Sequence, residues 1–530
     1  MSSVPQEHEV CPPVEPEVAA EIEASHDGEK TSGSYGQILK STALIGGTSV
    51  LNIMVGVARS KAIALILGPS GVGLNGIYGS ITGMAELIAG MGISSSGVRQ
   101  IAEAAGSGDQ VRVAKTAAVL RRTSLVLGLL GAAILIGFSP QISRVTFGDS
   151  SQTVTVCILA GSVFLRLLSA GQGALLQGLR RIPDMARAGV LSTAGATAMT
   201  IPLVYFLGER GIAVSVTTGA ALGLGASWWY SRQLAVDTPP VTVSEVRAEA
   251  QGLLHLGSAL MVSGLVTVGC SYAIRTVIYR GLGADSAGLY QAAWTMGGTY
   301  VGFILQAMGS DFYPRLTAAA SDNDACNRLV NEQAHVSLLL AGTGVIATLT
   351  FAPLVLNVFY ASSFQSAVDV LRWICLGTAL QVVSWPMGYI MLAKGAKGIL
   401  VWSELAWALV HLGLAWVCLQ AFGLRGAGIA FFGSYAFHIG LTYVVAFRLT
   451  KFQWSRANRN ATLAYLGVIG AVFYGIQTLS PLLGMTLGGV AMLLCGVYSV
   501  RSLVGLVSAD RIPRPMRRLL GLLGVEAAAG

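Results

Sequence analysis

Charged side chains inside apolar stretches are the residues of this chain whose chemistry is most informative. They include four cations and two acids: Arg59, Lys61, Arg166, Arg275, Glu86 and Glu404. A charge is costly in lipid, so each of these groups is expected to face the protein interior or a water-filled cavity. Guanidinium and ammonium groups in such a cavity bind anions, phosphate groups above all. The pattern therefore predicts an anion-binding site within a membrane protein.

Two of the cations lie on polar, small-residue stripes at helical spacing. The stripe of Arg59 contains Gly56, Asn52 and Ser49, and the stripe of Arg275 contains Ser271, Thr267 and Gly264. Lys61 lies about 200° around the helix from Arg59, so the two cannot face one cavity. We expect Arg275 to face a basic residue of the first segment across a central cavity. For these cations and Arg166, snorkelling or structural pairing is the alternative.

The interior acids suggest a second role. Glu86 shares a helical face with Gly79, Gly83 and Gly90, which indicates close helix packing or a cavity wall. Glu86 and Glu404 are candidates for carrying a coupling proton or sodium ion, with structural packing as the alternative for each. Asp369 and Arg372 are three residues apart, a spacing that predicts a local ion pair.

The segments that must position these charges dominate the chain. Of its 530 residues 53% are hydrophobic and 11% are charged, and the mean hydropathy is +0.64. A soluble domain has about 25% charged residues. Fourteen apolar segments, each long enough to cross a bilayer, follow one another from about residue 38. The sequence thus predicts an all-α polytopic membrane bundle.

The basic residues predict the orientation of this bundle. Most of the 34 Lys and Arg residues fall on alternate connections and in the C-terminal tail, whereas the opposite side receives only Arg144, Arg210, Arg280 and Arg425. By the positive-inside rule both termini are cytoplasmic. This distribution accounts for the net charge of +8 without a nucleic acid partner.

A repeated turn motif divides the segments into two sets. LGPSGVGLN at 67–75 recurs as LGADSAGLY at 282–290, and GERG at 208–211 recurs as GLRG at 423–426. The spacing along the chain is identical for both pairs, and we call it the repeat offset; all four turns would lie on the outer side. We interpret this as a parallel repeat of two six-helix lobes around a central cavity, plus two C-terminal helices. The alternative is that Gly-rich outer turns simply look alike.

The predicted organisation has six parts. These are a disordered acidic cytoplasmic tail (1–36), an N-lobe (37–232), a cytoplasmic linker (233–253), a C-lobe (254–450), two extra C-terminal segments (451–508) and a basic cytoplasmic tail (509–530).

Signals of enzyme chemistry are missing from the sequence. It contains no nucleotide-binding P-loop pattern, and its seven cysteines and six histidines show no metal or disulfide spacing. We therefore predict no catalytic residue, no metal site and no cofactor. The short outer loops also disfavour a polytopic glycosyltransferase or sugar polymerase.

Four motifs in order carry a resemblance to a known family: LGPSGVGLNGIYGSITGMAELIAGMGISSSGVRQIAE (67–103), AGLYQAAWTMGGTYVGFILQAMGSDFYPRL (287–316), GYIMLAKGAKGILVWSEL (388–405) and RGAGIAFFGSYAFHIGLTYV (425–444). They resemble bacterial O-antigen and lipid III flippases of the multidrug/oligosaccharidyl-lipid/polysaccharide exporter superfamily. The family commonly has twelve segments, so the last two segments and the acidic tail are departures from its pattern.

The resemblance implies a function for the cavity. It implies a flippase in the bacterial inner membrane that moves a polyprenyl-diphosphate-linked oligosaccharide by alternating access. A glycan polymerase and glycosyltransferases are further candidate partners. Lys61 and Arg275 match basic positions of the family pattern, whereas the stripe favours Arg59 over Lys61. The main alternative is an ion-coupled multidrug antiporter of the same superfamily, which should present acids to its cavity.

Overall fold

The computed structural model of the protein describes residues 16–234 and 243–505, and the regular structure in this part of the chain is helical. In chain order the α-helices are α1 (Pro16–Gly90), α2 (Ile93–Gly106), α3 (Gln110–Gly137), α4 (Ser139–Phe147), α5 (Thr153–Gly178), α6 (Ile182–Leu207), α7 (Arg210–Ser231), α8 (Val243–Ala318), α9 (Asn323–Thr350), α10 (Ala352–Phe359), α11 (Val368–Ala393), α12 (Lys397–Phe422), α13 (Arg425–Thr450), α14 (Arg456–Thr478) and α15 (Pro481–Gly505). A 3-10 helix spans Ser362–Ala367.

The two longest helices, α1 and α8, are hairpins. Their backbones leave the helical conformation at Gly68 (φ 69°) and Gly283 (φ 87°), a left-handed region that favours glycine. A straight α8 would place Arg275 and Gln291 about 24 Å apart. Instead, Arg275 Nε donates to Gln291 Oε1 at 2.8 Å, so the chain folds back between them. The repeated LG motif of the sequence thus marks both reversals.

The two hairpins cross where the motif repeats. A Cβ atom built on Gly73 would lie 2.6 Å from the Ala284 carbonyl oxygen and 2.7 Å from the Gly288 nitrogen. One built on Gly288 would overlap the carbonyl oxygen of Pro69. Backbone therefore packs on backbone at this end of the bundle, and only glycine fits on either side. We call it the outer end, following the orientation predicted from the basic residues.

The helices are suited to a bilayer. In the described residues eleven helices are long and apolar enough to cross a membrane, α1 being counted once. Large apolar side chains such as Phe206, Trp402 and Leu482 point away from the protein with at least 71% of their surface exposed. Contact of such apolar faces with lipid costs no free energy, whereas their contact with water does. The multi-pass all-α prediction is confirmed, and the count of fourteen crossings stays a prediction.

Helix bounds repeat along the chain. We call α1–α7 the N half and α8–α13 the C half. Helices α5 and α6 of the N half recur as α11 and α12 of the C half when both bounds are shifted by the repeat offset. Gly208 (φ 59°) and Gly423 (φ 57°), which follow α6 and α12, share a left-handed backbone. The two-lobe repeat remains a prediction, and these matches support it.

Two of the predicted non-helical parts, the acidic tail and the linker, are partly helical in the structure. Helix α1 begins at Pro16, so residues 16–36 of the expected disordered tail are helical; their EVAAEIEA stretch is rich in helix formers. Residues 243–253 of the expected linker likewise belong to α8. Residues 1–15, 235–242 and 506–530, and with them the basic tail 509–530, lie outside the described residues.

The extra pair α14–α15 is attached to the C half through α9. Asn458 of α14 donates from Nδ2 to the Asn331 carbonyl oxygen at 2.7 Å, and the Tyr465 hydroxyl lies 2.5 Å from Ser499 Oγ of α15. The ring of Tyr465 packs on Gly342 of α9. The pair therefore extends the C half and leaves the N half without an equivalent.

Candidate binding cavities

The first candidate site, which we call the N cavity, lies among α1, α5, α6 and α7. It has a volume of about 500 Å³. Its wall consists mainly of small and hydroxyl-bearing residues, with an amide and three charged groups among them: Arg59, Asn75, Gly79, Glu86, Arg166, Ser169, Ala170, Ser192, Thr193, Ala196, Thr200, Ser215, Val216, Gly219, Ala220 and Gly223. Small residues at these positions leave room for a polar ligand between the helices.

Well-packed helices hold the charges of the N cavity. In α5, Val163 and Leu167 are buried in the core on either side of Arg166 in the sequence, which fixes the helix while the arginine side chain remains 46% exposed. Arg59 and Glu86 lie on the two arms of the α1 hairpin. A straight helix would separate them by about 40 Å. The reversal at Gly68 therefore brings both groups into one cavity.

The cations outnumber the acid in this cavity. Arg166 Nη1 lies 3.7 Å from Glu86 Oε2, which makes a loose ion pair. Arg59 has no ion pair within the described part of the chain, and it lies close enough to Arg166 for the two guanidinium groups to repel each other. Two cations and one carboxylate leave a positive excess, which a bound anion would neutralise.

Lys61 occupies a different place from Arg59. Its Nζ donates to the Val358 carbonyl oxygen of α10 at 2.6 Å, near the outer end. This placement on another face of the helix agrees with the angular separation expected from the two-residue spacing of Arg59 and Lys61. Of the two candidate cations in the first segment, the structure thus brings only Arg59 to the N cavity.

The second candidate site, the C cavity, lies among α8, α11, α12 and α13 and has a volume of about 450 Å³. Its residues are Thr267, Ser271, Arg275, Gln291, Trp294, Thr295, Gly298, Ile374, Gln381, Trp407, Phe431 and Tyr435. Arg275 is the one charged residue among them. Besides its bond to Gln291, the guanidinium donates from Nη1 to the Ser271 carbonyl oxygen at 3.2 Å.

The cations are divided between these two cavities, whereas the sequence favoured a single seam in which Arg275 faces a basic residue of the first segment. The reason is a close helix contact. A Cβ atom on Gly76 of α1 would lie 2.6 Å from Gln291 Oε1 of α8, so the two hairpins touch where the seam was expected. Arg275 therefore faces the interior of its own half.

The remaining predicted charges take simpler positions. Glu404 of α12 is half-buried close to Tyr435 and is not part of the cavity wall. It has no ion pair within the described residues. Arg372 Nη1 lies 3.6 Å from Asp369 Oδ1, which confirms the local ion pair.

The aromatic wall of the C cavity was missed by the sequence analysis. Within the apolar segments, Trp294, Trp407, Phe431 and Tyr435 carry no signal of their own, because aromatic side chains are common there. A usable signal exists, because each lies one repeat offset after a residue of the N cavity that is small or aliphatic. A comparison of the two halves position by position would have found it.

Comparisons with known proteins agree on the fold and the family. A family model described as polysaccharide biosynthesis protein matches residues 62–369. The lipid III flippase of Escherichia coli (strain K12) is 21% identical over 421 residues, which cover 76% of this chain and 97% of that protein.

Solved transporter structures share the fold. The lipid II flippase MurJ in an inward closed conformation superposes with a TM-score of 0.67 at 12% identity, covering 87% of this chain and 99% of MurJ. An inward-facing multidrug resistance MATE family transporter of the MOP superfamily gives a TM-score of 0.63 at 17% identity and covers 76% of this chain and 96% of its own.

Proposed function

The chain belongs to the family of polysaccharide biosynthesis proteins, and from this premise we propose that it is a lipid-linked oligosaccharide flippase. It moves a polyprenyl-diphosphate-linked glycan from the cytoplasmic to the periplasmic leaflet of a bacterial inner membrane, for assembly of a surface polysaccharide. Its family, its lipid III flippase relative and its MurJ-like fold support this function. It acts as a transporter, with both termini in the cytoplasm.

The positive excess in the N cavity is the observation that carries this proposal. A diphosphate brings negative charge into the membrane and needs counter-charges there. Arg59 and Arg166 offer two planar guanidinium groups, each able to donate two parallel hydrogen bonds to phosphate oxygens. The surrounding Ser and Thr hydroxyls add further donors. The isoprenoid tail remains in the bilayer while the head group occupies this cavity.

Glu86 provides a way to release the bound diphosphate from the N cavity. Its carboxylate pairs with Arg166 across 3.7 Å, so it competes with a bound diphosphate for the same guanidinium. Protonation of Glu86 frees Arg166 for the substrate, and deprotonation favours release. Glu86 is thus our candidate for proton coupling. Glu404, half-buried and without an ion pair in the described residues, is the second.

The closed outer end fits one step of alternating access. The close backbone contact between Gly73 and Gly288 supports an outer side that is closed in this conformation. Delivery of the substrate requires the two hairpins to separate at the outer end while their opposite ends approach each other. Glycosyltransferases at the cytoplasmic face would supply the substrate, and a polymerase on the other side would consume it.

A multidrug antiporter is the second candidate, supported by the fold shared with MATE transporters. Such a protein would bind organic cations and would need an excess of acids in its cavity. The N cavity has the opposite balance, with two arginines against one glutamate. The charge of the site therefore favours the flippase.

Deletion of the gene tests the proposal. We expect a lipid-linked glycan to accumulate on the cytoplasmic leaflet, and the wild-type gene to restore export. The accumulated lipid, reconstituted with the purified protein in vesicles, should become accessible on the opposite leaflet without ATP. Loss of drug resistance with no accumulated lipid would establish the antiporter instead.

A further inference from the structure

The C cavity combines an aromatic wall with a polar wall. The aromatic wall consists of the rings of Trp294, Trp407, Phe431 and Tyr435, and the polar wall of Arg275, Gln291 and Thr295. Its volume of about 450 Å³ falls within the range of small-molecule sites, roughly 300–1,000 Å³. In the flippase mechanism the N cavity binds and releases the diphosphate, which leaves the C cavity without a role.

The aromatic wall is a rigid, preformed surface. Ring centroids lie 5.1 Å apart for Trp294 and Phe431, 4.9 Å for Phe431 and Tyr435, and 5.7 Å for Trp407 and Tyr435. These are favourable aromatic packing distances. Three different helices, α8, α12 and α13, supply the rings. A ligand would therefore meet a surface that needs little reorganisation.

The polar wall is fixed by its own hydrogen bonds. Arg275 Nε donates to Gln291 Oε1 at 2.8 Å, and Gln291 Nε2 donates to Thr295 Oγ1 at 3.1 Å. This orients an amide and a guanidinium side by side along the cavity. Both present planar groups that can bind a pair of neighbouring hydroxyls.

One donor in the cavity wall lacks a partner. Trp407 is 9% exposed, and its Nε1 is buried without a hydrogen bond in the described part of the molecule. A buried N–H group without an acceptor costs free energy. A ligand oxygen that reached this N–H group would satisfy it.

We propose that the C cavity binds a sugar ring of the transported glycan, an inference that rests on the proposed flippase function. The apolar C–H face of a pyranose packs on aromatic rings, and its hydroxyls exchange hydrogen bonds with Gln291, Arg275 and the Trp407 indole. An isoprenoid chain would leave the indole donor unsatisfied. A diphosphate would meet a single guanidinium, because Arg275 is the one charged residue in the wall of this cavity.

Binding measurements on the full chain in lipid nanodiscs test this site. Two probes are titrated, the lipid-linked glycan recovered from the deletion strain and a polyprenyl diphosphate without sugar. We expect Trp407→Ala to weaken binding of the glycan lipid about tenfold, as expected for one lost stacking contact and hydrogen bond. Binding of the sugar-free lipid should not change, which also reports an intact fold.

Two further variants sharpen the result. Trp407→Phe keeps the ring but removes the N–H donor, so its affinity for the glycan lipid should lie between wild type and Trp407→Ala. Trp402→Ala is the matched control, because Trp402 lies on the same helix with 71% of its surface exposed. It should bind both probes as wild type does.

The outcomes separate the two proposals. If Trp407→Ala binds the glycan lipid as tightly as wild type, or loses both probes equally, the sugar site is wrong while the flippase function stands. If the wild-type protein binds neither probe, the flippase function itself is contradicted.

Discussion

The N and C cavities occupy corresponding positions on helices related by the repeat offset, yet their walls differ in chemistry. Arg166 of the N cavity corresponds to Gln381 of the C cavity. Four further positions change from small or aliphatic to aromatic, namely Gly79 to Trp294, Ser192 to Trp407, Val216 to Phe431 and Ala220 to Tyr435. The N cavity thus has small residues and three charged groups in its wall, whereas the C cavity has four aromatic rings and a single charged residue, Arg275.

This difference suggests how two halves of similar helix spacing could serve an asymmetric ligand. A lipid-linked glycan has a charged diphosphate at one end of its head group and sugars beyond it. A symmetric pair of sites would treat both parts alike. With charge in one cavity and rings in the other, each half can hold one part, because guanidinium groups suit phosphates and rings suit C–H faces.

Reversal of one charge in the N cavity should have the largest effect. Arg59→Glu adds a second carboxylate to the cavity that Glu86 already lines, so the cavity would repel a diphosphate. We expect export to fall by at least about 30-fold, the lower range for losing a buried charge contact. Surface polysaccharide and flipping in vesicles are the measurements. Arg210→Glu, an exposed arginine at the start of α7, is the matched control and should export normally.

Normal export by Arg59→Glu would remove the N cavity from the mechanism. Arg59→Lys should retain part of the activity, since a point charge still attracts phosphate but cannot donate as a fork. If Arg59→Lys and Arg59→Glu lose export equally while protein levels stay normal, Arg59 has a structural role and does not bind the substrate.

The sequence could predict the charged part of this site because charge in lipid is a strong signal. Arg59, Arg166 and Glu86 are identifiable because each is a charge within an apolar segment. The repeated motif predicts the reversals of chain direction at Gly68 and Gly283. Which cations share a cavity could not be predicted, because that depends on the contact between Gly76 and Gln291 across the hairpins. The aromatic wall escaped notice because rings in apolar segments are ordinary unless the two halves are compared.

The crossing of the hairpins predicts the next largest effect. A methyl group at position 288 would overlap the Pro69 carbonyl, whereas one at position 73 would lie 2.6 Å from its nearest neighbour. Gly288→Ala should therefore impair closure of the outer end more than Gly73→Ala does. We expect export to fall about tenfold, which corresponds to a strain of about 1.4 kcal/mol on the closed state. Gly281→Ala is the control, with open space around it.

Thiol labelling measures closure directly. A cysteine in place of Asn75, which lines the N cavity near the crossing, should react with a membrane-impermeant reagent faster in Gly288→Ala than in the wild-type background. Unchanged labelling and export in Gly288→Ala would show that this crossing does not close the outer end.

A ring introduced into the N cavity tests the comparison itself. Ser192→Trp copies Trp407 of the C half at the corresponding position, where it would crowd Gly223 and the space beside the arginines. We expect export to fall about fivefold, the lower end of the cost of crowding a packed site. Leu191→Trp, on the exposed face of the same helix, should have no effect. Full export by Ser192→Trp would mean that the small wall of the N cavity is not needed.

The smallest effect concerns the caps of α3 and α9, which begin at similar places in the two halves. Asp109 accepts one backbone N–H, from Arg112, whereas Asp322 accepts two, from Asp324 and Ala325. These backbone donors lower the pKa of the exposed Asp322 carboxyl below its ordinary value of 3.8. The folded state thus favours the carboxylate, and its stabilising contribution is complete above that value and is lost as the pH falls through the lower folded-state pKa.

Asp322→Ala should therefore lower Tm slightly at pH 7, more than Asp109→Ala does, and this Tm difference from wild type should shrink below about pH 4. Asp324→Ala, its neighbour in the first turn of α9, is the control. A Tm difference that persists unchanged at low pH would show that the Asp322 cap does not depend on its charge.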